Sequence, residues 1–393
     1  MTTAHDYDVV ILGAGPVGLA VAAALGRERL SVALLERGPL AAFAGPGGVD
    51  DWDQRVYAIS PGSAEFLRGL GAWQRLPAER LAAIEIMDVH GDGSGAIVFS
   101  AYELGERALA WIVENRELCA TLIEAVRTLT GVEVLAPCEP AAIAWRADGA
   151  LVTLADGRRL SARLVVGADG ARSWARREAG IAREPRDYGQ TAVVANFAAE
   201  LAHRGRAFQW FVEDAGVLAW LPLPGRRISI VWAAPDALAQ ELLALDATAL
   251  PLRVAAAGGR ALGALTQITP PAAFALSFLK LESVVAPRLA LVGDAAHGVH
   301  PLAGQGVNLG FGDAAALAEV LGARGPVADA GASILLERYA RVRAWPVLSM
   351  QIVTDGLVRL FGPPGLKPLR NLGMRGVAAL GPVRRLLAQP ALR

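Results

Sequence analysis

Tyr7-Asp8-Val9-Val10-Ile11-Leu12-Gly13-Ala14-Gly15-Pro16-Val17-Gly18 joins an apolar run to a glycine-rich turn near the start of the chain. Tyr7–Leu12 is short, apolar and rich in β-branched residues, which predicts a buried parallel strand. The G-x-G-x-x-G that follows runs straight into Leu19–Gly26, which reads as a close-packed helix. Each glycine has its own reason. Gly13 makes the tight turn, Gly15 lets a pyrophosphate approach the backbone, and Gly18 allows the helix to sit close on the strand, with the helix N-terminus facing the phosphates. Ser31–Leu35 is the next buried strand, and it ends at Glu36, eighteen residues after Gly18. A carboxylate there accepts from both ribose hydroxyls and disfavours a 2′-phosphate, so the unit predicts FAD or NAD rather than NADP.

Working outward, the 393 residues set a prior of two to three domains and a large core. Thirty-eight basic and 38 acidic side chains cancel. Nucleic acid is therefore not expected as a partner, since phosphate neutralisation needs a basic excess. Cys119 and Cys138 offer neither a disulfide framework nor a zinc site, and Asp6 and Asp8 stand where a secretory signal would be basic. A cytoplasmic protein is the expectation, at most peripheral to the inner face of a membrane. The uncharged runs Val9–Gly26 and Ala261–Leu279 are too broken by glycine, proline and polar residues to read as spans.

Further along, Leu118–Thr130 reads as a helix and Val132–Leu135 as a strand. Ala150–Leu154 and Arg159–Ala162 read as a hairpin about Asp156-Gly157, and Leu164–Gly167 as a separate buried strand. Thr191–Val231 becomes strand-like and aromatic, with Phe197, Phe208, Trp210, Phe211, Trp220 and, just beyond, Trp232. These aromatics are read first as sheet core and second as the lining of an apolar pocket. Arg288–Val292 is another buried strand, ending at Gly293-Asp294, and Pro301–Gly306 opens a helix that reads as Asn308–Leu321. A second strand-end carboxylate fits a long ligand whose ribityl chain needs its own acceptor. The glycine-rich helix entry would aim backbone N–H groups at the electron-rich edge of a reduced flavin, an interaction of about 1–2 kcal/mol.

Gly13–Gly18 with Glu36, then Gly167-Ala168-Asp169-Gly170-Ala171-Arg172-Ser173, then Gly293-Asp294 resemble the three motifs of single-component FAD-dependent aromatic hydroxylases. Within that class, the His300–Asp313 stretch resembles the ubiquinone-biosynthesis hydroxylase family, as do Asp187-Tyr188-Gly189-Gln190, Gly216–Pro222 and Asp355–Phe361. The chain departs from the family pattern at Trp210, where many members carry a polar residue, and at Gly312, which is smaller than usual. The resemblance implies an α/β FAD-binding Rossmann-like domain (1–74, 107–183 and 284–345), an inserted α+β sheet substrate domain (75–106 and 184–283) and a helical C-terminal tail (346–393).

It also implies noncovalent FAD, NAD(P)H or another electron donor, and dioxygen. Oxygen would add at flavin C4a, and the hydroperoxide would hydroxylate a polyprenylated phenol; cofactor chemistry performs the hard step. The cofactor residues it implies are Gly13, Ala14, Gly15, Pro16, Val17, Gly18, Glu36, Arg37, Arg55, Arg116, Asp169 and Gly293. Asp294 joins them on the ribityl hydroxyls, as do Pro301, Gly304, Gln305, Gly306, Val307 and Asn308. No general base stands out; Tyr188 and His300 are the candidates. His297 and His300 lack a third ligand, so no metal is expected and both read as backbone-bonded neighbours of the flavin. The alternatives are the same chemistry on a soluble aromatic metabolite, or a non-catalytic FAD-binding scaffold. Gly356–Arg393 carries seven basic residues and no acidic one. Broken by glycine and proline into short pieces, this tail is read as a solvated face or as a contact with a membrane or a biosynthetic complex. A homo-oligomer is compatible with everything above.

Overall fold

The computed structural model describes residues 5–40, 51–325, 328–361 and 367–392. The chain starts as β1 (Tyr7–Leu12), α1 (Pro16–Arg27), β2 (Val32–Leu35), β3 (Val56–Ile59), α2 (Pro61–Gly69), β4 (Ala82–Ile84), β5 (Ile86–His90) and β6 (Ala96–Ser100). It continues as α3 (Ala101–Leu104), β7 (Ala110–Glu114), α4 (Asn115–Arg127), β8 (Val132–Leu135), β9 (Pro140–Trp145), β10 (Ala150–Leu154), β11 (Arg159–Gly167) and α5 (Trp174–Glu178). Then come β12 (Arg183–Ala199), β13 (Arg206–Val212), β14 (Gly216–Leu223), β15 (Arg227–Pro235), α6 (Asp236–Ala244), α7 (Ala249–Ala257), β16 (Leu265–Gln267) and β17 (Ala272–Leu281). The last elements are β18 (Val285–Ala286), β19 (Leu289–Leu291), α8 (Gly306–Gly322), α9 (Ser333–Phe361), α10 (Lys367–Ala379) and α11 (Gly381–Leu392).

The expected opening unit is present, and β1 lies parallel between β2 and β11. The first sheet runs β18-β19-β11-β1-β2-β8, with β10 and β9 added beside β11. Strand order reverses at β1, because α1 carries the chain to one side and β11 arrives on the other. The carboxyl ends of β1 and β11 therefore frame the crevice where an open α/β sheet takes its ligand. Leu12, Leu35 and Gly167 are register partners at that edge. The run expected as two strands, Arg159–Ala162 and Leu164–Gly167, is one strand, β11. Its first half pairs antiparallel with β10 and its second half parallel with β1. Arg163 at the join made it look like a break, but its guanidinium turns out to Asp8 and leaves the backbone extended.

The second sheet runs β16-β12-β15-β14-β13-β5-β6, with β17 also on β12. Period-2 alternation sorts its aromatic residues. Phe197, Phe208, Trp220 and Trp232 are buried in one core under α6 and α7, and Trp210 packs against it. Trp210, the departure from the family pattern, stacks on Phe208 at 5.4 Å and meets Trp220 edge-on at 4.9 Å. Phe211 points to the opposite face and stacks on Phe361 of α9. The first of the two readings, sheet core, thus describes most of these rings. A small sheet, β3-β7-β4, bridges the two large ones.

The C-terminal segment is less broken than its glycines and prolines suggest. α9 runs 29 residues through Pro346 and Gly356. Both are exposed there, so the N–H that proline lacks leaves no buried orphan. α10 docks on the β5–β6 turn. The Asn371 carboxamide accepts from Gly95 N at 2.8 Å, its Nδ2 donates to Asp92 at 2.9 Å, and Arg370 forms a buried pair with Asp92. A Cβ on Gly91, Gly93 or Gly95 would collide with Asn371 or Met374, which accounts for the Gly-x-Gly-x-Gly of that turn. Lys367 pairs with Glu213, Arg384 with Glu103 and Arg359 with Asp355, and Arg375 bonds Ser94. Most of the tail's cations are thus matched within the chain; Arg393 lies outside the described residues. No helix among the described residues is long and apolar enough to cross a membrane.

Candidate active site

At the β1–β11 edge the glycines divide by what surrounds them. Gly13 has φ +103°, and a Cβ on it would lie 2.7 Å from the Ala168 carbonyl oxygen. A Cβ on Gly18 would run into the Gly13 carbonyl, so these two glycines are fixed by the protein's own packing. Gly15 differs: among the described residues nothing lies within 4 Å of a Cβ there, and its φ of −68° and ψ of 176° suit any residue. The space beside Gly15 is a cradle that a side chain would fill.

Two helices open onto free space in the same way. α1 begins at Gly15 with no side-chain cap, and α8 begins after Gln305 with none either. Gly306 resembles Gly15 in having none of the described residues within 4 Å of a Cβ. By contrast, Ser60 caps α2 through Ser63 N, and Ser173 and Asp169 cap α5. Uncapped first-turn N–H groups with open space before them are ready-made anion sites. The two helices cross at Val17, whose methyls sit where a Cβ on Gly293 or Gly310 would go. That close contact brings the α1 start, the Gly293-Asp294 turn and the α8 start together.

Glu36 ends β2, where its carboxylate accepts from Ala14 N at 2.8 Å and from Gly38 N at 3.0 Å. It braces the phosphate turn and leaves acceptor capacity for a ribose. Arg37 and Asp294 are exposed at their strand ends. Asp169 Oδ2 accepts from Trp174 N and Ala175 N, while its Oδ1 is buried without a partner among the described residues. Arg55 is oriented through its backbone by Asp53 at 2.9 Å, and its guanidinium lies over Tyr57 and Phe274, 5.3 and 5.7 Å from the ring centroids. Arg116 grips both Asp51 carboxylate oxygens at 3.0 Å. Asn308 turns inward: its Oδ1 accepts from Ser60 N and its Nδ2 donates to Ala58 O, which ties the first turn of α8 to β3. Gln305 is buried beside it and accepts from Asn308 Nδ2 at 3.2 Å. Pro301 opens a short 3-10 turn that ends at Gly304, left-handed at φ +61°. Gly306 and Val307 form the first turn of α8.

The two histidines correct an expectation, because both bond side chains rather than backbone. His297 Nε2 meets Asp313 Oδ2 at 2.6 Å, and the same oxygen accepts from Gly293 N at 2.8 Å. Asp313 Oδ1 takes Arg343 Nε at 2.7 Å. Burial by itself would raise the Asp313 carboxyl; His297 and Arg343 outweigh it and hold the group below its ordinary value. A Cβ on Gly312 would lie 2.8 Å from the Arg343 guanidinium, so the small residue at 312 is what admits this arginine. His300 Nε2 lies 2.9 Å from Gln190 Oε1, and its Nδ1 is buried without a partner among the described residues. The Tyr188 ring stands edge-on to His300 at 4.9 Å, with its hydroxyl buried and the Arg186 guanidinium over the ring. The fold thus brings the two base candidates together. Burial pushes His300 down to about 4 and Tyr188 up, so at neutral pH the imidazole is uncharged and the phenol keeps its proton.

Sequence reading missed Arg176, Arg343, Arg80 and Glu114. Buried Arg176 donates to Ala171 O and Ala295 O, both at 2.8 Å, and so joins the middle motif to the Gly293-Asp294 turn. Arg80 and Glu114 form a buried two-point pair, and Glu114 also accepts from Asp53 N at 2.6 Å. No local signal marks these four among 36 arginines and their partners.

The family model described as FAD binding domain matches residues 6–350. The chain belongs to that family. It is 38% identical to ubiquinone hydroxylase UbiL of Rhodospirillum rubrum over 98% of this chain and 89% of that protein. It is 33% identical to 3-demethoxyubiquinol 3-hydroxylase of Escherichia coli over 99% of both. Among solved structures, Pseudomonas aeruginosa PqsL in complex with 2-aminobenzoylacetate aligns with TM-score 0.80 and 25% identity, covering 94% of this chain and 99% of that one. Klebsiella pneumoniae HpxO, complexed with FAD and uric acid, shares the fold at TM-score 0.74 and 18% identity, over 98% of this chain and 96% of that one. As a member of the FAD-binding-domain family the chain is an FAD-dependent aromatic monooxygenase, and the open cradles at Gly15 and Gly306 fit that cofactor.

Proposed function

We propose that the protein hydroxylates the aromatic ring of a polyprenylated phenol in ubiquinone biosynthesis, using FAD, dioxygen and NAD(P)H or another electron donor. The observation that carries this reading is the end-to-end likeness to 3-demethoxyubiquinol 3-hydroxylase, joined to a site where two uncapped helix N-termini converge on one sheet edge. On this reading Gly13–Gly18 and the start of α1 receive the pyrophosphate, Glu36 the adenosine ribose, and Asp294 the ribityl hydroxyls. Pro301–Asn308 frames the flavin ring. Bound flavin supplies the oxygen-activating chemistry; the protein supplies position, dryness and charge.

A base of pKa about 4 lies far below a phenol, so His300 is assigned hydrogen bonding rather than full proton removal. Its Nε2–H is directed to Gln190, which leaves the Nδ1 lone pair to accept from a hydroxyl. Tyr188 keeps its proton and acts as a donor beside it. The chain divides on this reading into the FAD-binding, substrate and tail parts outlined from sequence. Quinone intermediates in a strain lacking the protein test the proposal, because the precursor that accumulates names the missing hydroxyl. An unchanged quinone profile, together with equal turnover of phenols with and without a prenyl tail, would point to a soluble aromatic substrate instead.

A further inference from the structure

α9 has two unlike faces. Its inner face is built into the site: Tyr339 donates to Leu291 O at 2.8 Å, Arg343 holds Asp313, and Gln351 Nε2 donates to Leu279 O at 2.8 Å, on the residue bridged to Gly298. Asp355, near its end, pairs with Arg186, whose guanidinium lies over Tyr188. Its outer face carries large apolar side chains that, among the described residues, are left exposed. At 100° per residue Ile334, Arg341, Trp345, Leu348 and Ile352 fall in one stripe, with Arg338 at its border. Trp345 is 71% exposed, Ile352 59% and Ile334 76%. A continuous stripe of large side chains is a contact surface, unlike singly scattered hydrophobes.

Charge selects what covers it. On this face the exposed charges are Arg338 and Arg341, with Glu337 beside them, a local positive excess. An anionic bilayer surface sets it against its opposite, and a tryptophan flanked by aliphatic and basic residues suits the interface.

We propose that α9 lies flat on an anionic lipid surface, with Trp345, Leu348 and Ile352 in the interface and Arg338 and Arg341 at the headgroups. This moves the expected membrane contact from Gly356–Arg393, whose cations are largely paired within the protein, to the part of α9 before it, where the inner face holds the Gly298–His300 loop. Its purpose rests on the prenylated-substrate reading; its geometry does not.

The test is co-sedimentation of the full-length, FAD-loaded protein with vesicles of phosphatidylglycerol and phosphatidylcholine, compared with phosphatidylcholine alone. Wild type is expected to partition about tenfold more strongly onto the anionic vesicles, and Trp345→Asp with Ile352→Asp to lose about tenfold of that binding. Arg338→Glu with Arg341→Glu should erase the preference for anionic lipid. Both variants should keep their flavin and their turnover of a short-chain, water-soluble phenol. Wild type that stays in the supernatant, or an aspartate variant that binds as wild type does, overturns the proposal. So does an aspartate variant that turns from dimer to monomer while still binding vesicles, which would assign the stripe to a second copy. Vesicle binding is read without substrate, so failure to hydroxylate a prenylated phenol overturns the substrate reading alone.

Discussion

Gly15→Ala and Gly18→Ala change the same motif by the same methyl group and should fail in opposite ways. At Gly15 the backbone is already in an extended conformation open to any residue, and among the described residues nothing lies within 4 Å of the new Cβ. The flavin-free protein should therefore keep its stability, or gain about 0.4–1 kcal/mol from the reduced entropy of the unfolded chain. Flavin binding should suffer, because the methyl occupies the approach to the α1 N-terminus. Displacing a pyrophosphate from two charge-assisted N–H contacts costs about 2–4 kcal/mol, or about 30- to 1,000-fold in affinity. At Gly18 the Cβ runs into the Gly13 carbonyl, so α1 must move off β1, which costs about 1–3 kcal/mol of stability with or without flavin. Urea unfolding of the flavin-free proteins and fluorescence titration with FAD separate the two quantities. Gly15→Ala protein that binds FAD like wild type, or that unfolds more easily without it, would refute the assignment of the cradle.

Glu36→Ala should weaken FAD binding by about 1.5–3 kcal/mol, since it removes the ribose acceptor and loosens the turn held through Ala14 N; unchanged affinity in the same titration would place the adenosine elsewhere. Acid precipitation should release all the yellow colour, and flavin left in the pellet would contradict noncovalent binding. His300 sits near 4 against an ordinary 6.5, so the unfolded chain binds the extra proton between those values. Stability from keeping the ring neutral is complete above about pH 6.5 and is lost as pH falls towards 4, by up to about 3 kcal/mol relative to His300→Gln; parallel stability–pH curves for the two proteins would show that the imidazole is not buried neutral. Asn371→Ala leaves the Gly95 N–H without its acceptor and should cost about 1–3 kcal/mol in urea unfolding at unchanged FAD affinity, whereas no loss would mean that α10 does not hold the β5–β6 turn.

What the sequence determined by itself is local. A strand followed by G-x-G-x-x-G, a helix and Glu36 fixes dihedrals, burial and a strand-end carboxylate within thirty residues, and the structure repeats that unit. The hairpin about Gly157 and the helix entry at Gly306 were legible for the same reason, since turn chemistry and periodicity act over a few residues. Tertiary structure decided everything that depends on which distant side chain answers which. Val17 fitting against Gly293 and Gly310, Arg343 reaching Asp313 over Gly312, Tyr188 meeting His300, and Asn371 seating on a turn 276 residues away carry no periodic signal. The aromatic run was readable as strand, yet which rings face α6 and α7 and which face α9 followed from register, and register is set by sheet partners far along the chain. The basic tail looked like a free charged surface because composition counts charges without their partners; folding brought Asp92, Glu103 and Glu213 to it, and left the exposed apolar face on α9.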